Sequence, residues 1–141
     1  MHVDPLFKAV QELRAISPKG KIADSQSRIT IGLLPHKTKI FLGAETPIVE
    51  ATPRAIKHII DKNCGGFLAL KATEIIARHE SIFESKTTDR ETGLHRIVLV
   101  KRYPGGRDLF AVIELKFGAA NQLVTVARVG KNYLKPLKKI L

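Results

Sequence analysis

Apolar residues recur at helical spacing near the start of the chain. Asp4 is a suitable N-cap, and Pro5 fits the first turn of a helix. Pro18 and Gly20 both resist continuation of a helix. Between these signals the apolar residues lie three or four positions apart: Leu6, Val10, Leu13 and Ile16. The pattern predicts an N-terminal helix, which a polar segment connects to the rest of the chain.

Two further helical patterns lie in the middle of the chain. Thr52 is a suitable N-cap and Pro53 fits the first helical position, so a helix is expected to begin there and to end before Cys64. A third helix is expected over residues 68–78. The apolar stripe of the helix that begins at Thr52 consists of Ala55, Ile56, Ile59 and Ile60. The stripe of the third helix consists of Leu68, Ala72, Ile75 and Ile76.

The second half of the chain changes to the alternation typical of β-strands. Residues 109–117 are the clearest case, because every second side chain is apolar. The same reasoning predicts strands over 29–34, 38–42, 82–87, 94–103 and 123–129. Residues 133–141 are expected to form a short terminal helix.

Helices followed by neighbouring strands indicate an α+β fold, with helices packed on one face of a twisted antiparallel β-sheet. We expect residues 1–28 to form the N-terminal helix and a polar linker, and residues 29–141 to form the α+β domain.

Composition narrows the function classes. The 141 residues contain 24 Lys and Arg against 13 Asp and Glu, a formal net charge of +11. No apolar run approaches the ~20 residues of a membrane span, and a single cysteine, Cys64, excludes an internal disulfide framework. A surplus of this size favours an acidic partner: nucleic acid, an anionic membrane surface or an acidic protein. The excess of basic over acidic residues is most pronounced in residues 117–141, which contain no Asp or Glu.

Common catalytic and cofactor motifs are missing from the sequence. It has no Gly-x-Gly-x-x-Gly, no P-loop, no His-Glu-x-x-His and no Gly-x-Ser-x-Gly. The five histidines show no metal-ligand spacing. We therefore expect neither a cofactor nor a metal.

His58 is the histidine with the clearest chemical context. Arg54 lies one helical turn before it and Asp61 about one turn after it, and the pattern places His58 at the edge of the apolar stripe. An imidazole titrates near neutral pH and can accept and return a proton. The alternative is a boundary histidine that is hydrogen-bonded to the sheet or to Asp61. Both interpretations are open on the pattern alone.

The strand predicted over 94–103 has two mixed faces. Each combines apolar residues with cations, among them Arg96, Lys101 and Arg102. Such a strand lines a cleft for an anion, or it is a central strand covered on both sides with solvated ends. In the last predicted strand, Thr125 and Arg128 fall on opposite faces unless a β-bulge intervenes.

Several of these segments together resemble a known group of nucleases. They are Lys39-Ile40-Phe41-Leu42, Thr52-Pro53-Arg54-Ala55-Ile56-Lys57-His58, a second helix, and a basic meander of three strands that ends in Val124-Thr125-Val126. In this order they resemble the superfamily that groups barnase, EndoU, the tRNA-cleaving colicins and RelE, and particularly its phage-borne and contact-dependent-inhibition toxin nucleases. The resemblance covers about residues 38–130 and rests on element order and residue types.

The resemblance implies a metal-independent endoribonuclease toxin with a nuclease-like domain over 29–141. RNA, with tRNA favoured, would be cleaved by attack of its own 2′-hydroxyl on the adjacent phosphate. The implied catalytic residues are His58, Lys101, Thr125 and Arg128. The implied substrate-binding residues are Arg54, Arg96, Arg102 and Tyr133, the last stacking on a base.

The resemblance also implies partners and a place of action. An acidic immunity protein or antitoxin would bind the basic cleft, and the toxin would act in the cytoplasm, after delivery in a larger effector or expression from a phage. The alternatives are a non-catalytic nucleic-acid-binding module, whose histidine is structural, and a phage accessory module.

Overall fold

The structure, a computed structural model, describes residues 5–15, 28–62, 67–85, 95–130 and 132–141. Its helices are α1 (Pro5–Arg14), α2 (His36–Leu42), α3 (Pro53–Lys62), α4 (Phe67–Leu70) and α5 (Ala72–Arg78). Its strands are β1 (Ile29–Leu33), β2 (Ile48–Ala51), β3 (Ser81–Glu84), β4 (His95–Lys101), β5 (Leu109–Leu115), β6 (Asn121–Arg128) and β7 (Lys138–Lys139). The predicted α+β class is confirmed. Asp4, Ile16, Cys64 and nearly all of the predicted linker lie outside the described residues.

The described strands form one sheet in the order β1-β2-β6-β5-β4-β3-β7. Strands β3 to β6 follow one another along the chain and pair antiparallel with their neighbours, as in a meander. Strand β2 runs parallel to β6 and joins the antiparallel β1–β2 pair to this meander. At the other edge, β7 pairs antiparallel with β3. The sheet is therefore mostly antiparallel, as predicted, with one parallel pair.

The helices cover one face of the sheet, which we call the helix face. Helix α3 packs on β6, and α5 packs on β4 and β5. Their fully buried side chains include Ile56, Ile59 and Ile75, each worth about 1.5–3 kcal/mol relative to exposure. Helix α1 contacts α3 and β1, and its predicted apolar residues belong to the same core: Leu6, Val10 and Leu13. The boundary at residue 28 stays a prediction.

The opposite face of the sheet is also covered, and we call it the second face. Val98 and Val100 of β4 pack there with Phe110 and Val112 of β5. The C-terminal segment 132–141 lies against this cluster through Leu134 and Leu137. Strand β4 is thus a central strand covered on both sides, one of the two interpretations that its mixed faces allowed.

The N-terminus of α3 forms as the sequence predicts. The Thr52 hydroxyl accepts a hydrogen bond from the Ala55 backbone N–H at 3.1 Å, which is the contact that defines a side-chain N-cap. The third predicted helix is interrupted. Lys71 separates α4 from α5, and its backbone N–H bonds to the Leu68 carbonyl in a turn. The predicted inward-facing residues of both helices are nevertheless buried: Leu68, Ala72, Ile75 and Ile76.

The strand predicted over 38–42 is wrong, because these residues belong to α2. The Lys39 N–H bonds to the Pro35 carbonyl, and Gly43, at φ +68°, ends the helix in the left-handed conformation. Five residues are too few to separate strand alternation from helical periodicity. The flanking proline and glycine were the better signals.

Two further elements differ from expectation. Strand β2 was not predicted, because it has only four residues and is held by β1 and by β6, about twenty and seventy positions away along the chain, and pairings of that range leave no local pattern. The terminal helix expected over 133–141 is wrong. The segment forms turns and the short β7, since Pro136 has no N–H for a helix and Leu134 and Leu137 pack on the second face instead.

Candidate functional site

A pocket lies where β4 ends, β5 begins and β6 ends. Lys101 of β4 and Arg128 of β6 both pair with Leu109 of β5, one from each side. Residues directly opposite each other on antiparallel strands point to the same face. Leu109 belongs to the helix-face core, so the two cations flank an apolar residue on the helix face.

Helix α4 and Lys71, which directly follows it, close the pocket on its helix side. Its volume is about 150 Å³, and its lining combines a buried apolar floor, two aromatic rings and three cations: Phe67, Leu68, Lys71, Tyr103, Arg107, Leu109 and Arg128. The floor consists of Leu68 and Leu109, which are 5% exposed. An apolar floor with a cationic rim lowers the local dielectric, which strengthens the attraction of the rim for an anion.

The lysines at the pocket are held by aromatic rings and carboxylates. Lys71 Nζ lies 5.4 Å from the ring centroids of both Phe67 and Tyr103 and 3.5 Å from Glu74 Oε2. Lys101 Nζ lies 5.2 Å from the Tyr103 centroid and 3.6 Å from Glu80 Oε1. The Tyr103 ring is therefore within cation–π distance of two ammonium groups.

The arginines differ from the lysines. Within the part of the chain that the structure describes, neither Arg107 nor Arg128 forms an ion pair, and both side chains are exposed. Their guanidinium groups keep a full set of donors for a ligand.

Tyr103 supplies a hydroxyl that stays protonated. Burial, together with the nearby Glu74 carboxylate, raises the pKa of Tyr103 to about 12. The hydroxyl is therefore a hydrogen-bond donor throughout the physiological pH range. The Tyr103 backbone N–H bonds to Asp108 Oδ1 at 3.3 Å, which ties the two ends of the β4–β5 connection together.

The β4–β5 connection places Arg107 at the pocket. It contains a 3₁₀ turn, Pro104–Gly106, in which Gly105 and Gly106 have φ of +77° and +69°. Side chains other than glycine rarely adopt this region, so the Gly-Gly pair permits the tight turn that brings the chain from Tyr103 back to Arg107.

Three of the predicted site residues lie on the second face, away from the pocket. Arg96 alternates with the buried Val98 and Val100, and its guanidinium lies 4.0 Å from the Glu114 carboxylate. The Tyr133 ring stacks on Phe110, with centroids 4.2 Å apart and planes at 12°. Burial raises the pKa of Tyr133. One face of this ring is therefore already occupied.

Thr125 is the third of these residues. A bulge in β6 lets Val112 pair with Thr125 while Ile113 pairs with Leu123. The register is regular from Thr125 to Arg128, so the two side chains fall on opposite faces, as the alternation predicts: Thr125 on the second face and Arg128 on the helix face. The Thr125 hydroxyl is buried and finds no hydrogen-bond partner among the described residues.

The predicted position of His58 at the edge of the apolar stripe is wrong. Helix α3 buries Ile56, Ile59 and Ile60, and at 100° per residue His58 falls on the opposite side, where it is exposed. Arg54, one turn earlier, is exposed as well. The stripe edge is taken instead by Lys57, which is 4% exposed and lies 2.5 Å from Asp61.

Of the predicted site residues, Arg128 lines the pocket, and Lys101 lies beside it, next to the Tyr103 ring. Arg102 follows Lys101 directly, but its side chain is exposed, and its backbone N–H bonds to Glu80. The pocket residues that sequence reasoning missed are Phe67, Lys71, Tyr103 and Arg107. A signal for two of them was present, since an aromatic and a cation flank the Pro104–Gly106 turn between two strands.

His79 has a structural role. Its Nε2 lies 2.9 Å from the buried Thr38 hydroxyl, and its Nδ1 lies 3.0 Å from the Ile76 carbonyl. The ring therefore joins the end of α5 to α2. Burial lowers the pKa of His79, and its backbone hydrogen bonds oppose that shift in part.

Among the described residues, no group of three or more His, Cys, Asp or Glu side chains is arranged to hold a metal ion. None of the described helices has the length and apolarity needed to cross a bilayer.

Comparisons with known proteins found no match to this chain: no family model, no curated protein and no solved structure is significantly similar to it. The resemblance to the barnase–EndoU–colicin–RelE group stays a prediction.

Proposed function

We propose that this protein binds RNA at the pocket between α4, the β4–β5 connection and the end of β6, and that it cleaves RNA there as a metal-independent endoribonuclease. One observation carries the proposal. Arg107 and Arg128, with no ion pair among the described residues, converge with Lys71 on an apolar pocket that has two aromatic walls.

The chemistry of the rim favours a phosphate. A guanidinium presents paired N–H donors that match two phosphate oxygens, and such contacts are stronger than neutral hydrogen bonds. Arginines that served only the fold would be expected to have carboxylate partners, as Arg96 has in Glu114. The net charge of +11 adds a long-range attraction for a polyanion.

Cleavage by the 2′-hydroxyl requires a base, a proton donor and cations that stabilise the charge on phosphorus. Glu74, whose carboxylate lies 3.5 Å from the Lys71 ammonium, is the proposed base. The Tyr103 hydroxyl, which stays protonated, is the proposed donor of a proton to the 5′-oxygen that leaves when the P–O5′ bond breaks. Lys101 and Arg128 keep their predicted role beside the phosphate, and exposed His58 has none.

The biological part of the proposal comes from the resemblance alone. It includes tRNA as the favoured RNA, an acidic immunity protein or antitoxin that binds the basic pocket, and action in the cytoplasm by a delivered or phage-encoded toxin. A complementary acidic surface would bind this pocket rapidly at low salt.

The second candidate is a non-catalytic RNA-binding module. The pocket lining contains no histidine, and the nearby carboxylates of Glu74 and Glu80 pair with Lys71 and Lys101. A pocket whose carboxylates serve only to hold lysines would bind RNA without cutting it.

Incubation with tRNA and mixed RNA in excess EDTA separates the two candidates. The endoribonuclease produces fragments that end in 2′,3′-cyclic phosphate, and Arg128→Ala reduces their rate of formation. The control is Arg28→Ala, which removes the same charge from an exposed position before β1. Intact RNA with salt-sensitive binding supports the module. Cleavage that only a divalent metal restores contradicts the proposed mechanism.

A further inference from the structure

We infer that Phe67 stacks on an unpaired base of the bound RNA, so that the pocket selects single-stranded over double-stranded RNA. This inference rests on the proposed function and names its substrate class. Phe67 begins α4 and lines the pocket, yet 64% of its surface is exposed. A single exposed phenylalanine needs no explanation on its own. Its position among the cations is what points to a ligand.

The ring lies beside the groups proposed to hold a phosphate. Lys71 Nζ is 5.4 Å from the ring centroids of both Phe67 and Tyr103, so the two aromatic walls and one ammonium border the same space. RNA repeats the pairing of a planar base with a nearby phosphate at every nucleotide. Proteins that bind single strands use aromatic rings for the base and cations for the backbone.

The size of the pocket limits what enters it. Its volume of about 150 Å³ is well below the ~300–1,000 Å³ of pockets that enclose drug-sized ligands. It suits a small group that projects from a longer chain, such as one base. Bases of a duplex are paired and stacked on each other, and their faces are not available to a protein ring without an unstacking cost.

The stacking contact also determines the sequence preference. Every base has a π face, so stacking on Phe67 is tolerant of base identity. Apart from the Tyr103 hydroxyl and the cations, which the proposed function assigns to the phosphate, the lining offers no polar side chain to read a base edge. We therefore expect a preference for unpaired RNA with little preference for sequence.

Binding to RNA that cannot be cleaved tests the inference. The probes are a labelled 2′-O-methyl oligonucleotide, the same strand annealed to its complement, and a strand of equal length with abasic positions. We expect the single strand to bind at least about tenfold more tightly than the duplex. Phe67→Ala should weaken single-strand binding about tenfold, within the range for loss of one stacked base, and change abasic binding less than about twofold.

A fluorescence measurement gives an independent readout. The chain contains no tryptophan, so Phe67→Trp introduces a single tryptophan, which can be excited apart from the two tyrosines, and retains a stacking surface. Its emission should be quenched by the single strand, with the same Kd as in the binding assay, and not by the abasic strand. The matched control is Phe117→Trp, because Phe117 is 72% exposed and follows the opposite end of β5.

The inference and the proposed function fail differently. Equal binding of duplex and single strand, or an equal loss of single-strand and abasic binding in Phe67→Ala, overturns the stacking inference while the phosphate site stands. If Arg128→Ala leaves binding of all three probes unchanged, the pocket is not the RNA site, and both proposals are wrong.

Discussion

Lys101 and Arg128 lie on either side of Leu109, one on each neighbouring strand, and all three share the helix face of the sheet. The register of two antiparallel pairs thus places two cations that are far apart in the sequence on the same face, at the same level of the sheet. The β4–β5 turn adds Arg107 and the α4–α5 turn adds Lys71.

The arginines at the pocket should each account for about one phosphate contact. Arg128→Ala and Arg107→Ala are expected to weaken binding of a single-stranded oligonucleotide, and each should reduce the slope of log Kd against log salt concentration by about 0.7. Fluorescence anisotropy at several salt concentrations measures this. Arg28→Ala should leave this slope unchanged. If Arg28→Ala reduces the slope as much as Arg128→Ala does, the arginines contribute only through the overall charge of the protein and not through contacts at the pocket.

Glu74 and His58 give opposite expectations for cleavage. Glu74→Gln removes the proposed base while it keeps the shape of the side chain, and it should reduce the single-turnover rate by about 10²–10⁴. His58→Ala should leave the rate unchanged, since His58 is exposed on the far side of α3. The rates are measured in EDTA with saturating protein. Loss of activity in His58→Ala would restore the assignment made from sequence.

The N-cap of α3 should be a measurable source of stability. Thr52→Ala removes the acceptor for the Ala55 N–H, and it should lower the free energy of unfolding by about 0.5–2 kcal/mol. Urea denaturation measures the change. Thr52→Ser, which retains the hydroxyl, serves as the control, and a loss in this variant as large as in Thr52→Ala would show that the methyl group matters more than the cap.

Protonation of His79 should destabilise the fold. Burial lowers the pKa of His79 below 6.5, its ordinary value, so the unfolded chain takes up the proton at a higher pH than the folded protein. The contribution of neutral His79 to the free energy of unfolding is therefore fully present above about pH 6.5. It is lost as the pH falls through the lower pKa that His79 has in the folded protein. Thermal unfolding between pH 7 and 5 measures it. His79→Gln, which can still bond to Thr38, should show a flatter dependence, and an unchanged one would contradict the assignment.

Sequence reasoning succeeded where one element alone carried the signal. The stripes of α3 and α5 and the alternation of β5 are local consequences of burying one side of a helix or strand, and most of these side chains are buried as predicted. The exceptions are Ala55, which is half-buried, and Phe117, which lies beyond the end of β5 and is exposed. Thr52 was recognisable because an N-cap acts on residues three positions away. The prediction of a strand at α2 was wrong because Ile40 and Phe41 are residue types that favour strands, although both are exposed on a helix.

The site was less predictable, because it depends on register and on helical phase. Nothing in the sequence near Arg128 indicates that it faces Leu109, and the bulge at Val112 and Thr125 changes which β6 side chains share a face. The predicted position of His58 rested on its being next to Ile59, which is buried. The buried residues Ile56 and Ile60 fix which side of the helix faces the core, and His58 lies on the opposite, solvent-exposed side. Pairings of this kind belong to the tertiary structure.

Mapping the RNA on the protein tests the central claim most directly. A 2′-O-methyl oligonucleotide is titrated into isotope-labelled protein, and the chemical-shift changes of backbone amides and arginine side chains are followed by NMR. The account predicts the largest changes at Phe67, Lys71, Arg107 and Arg128, at saturation of one site. Changes centred on Arg54 and His58, or on Arg96 and Tyr133 of the second face, with the pocket unaffected, would contradict it.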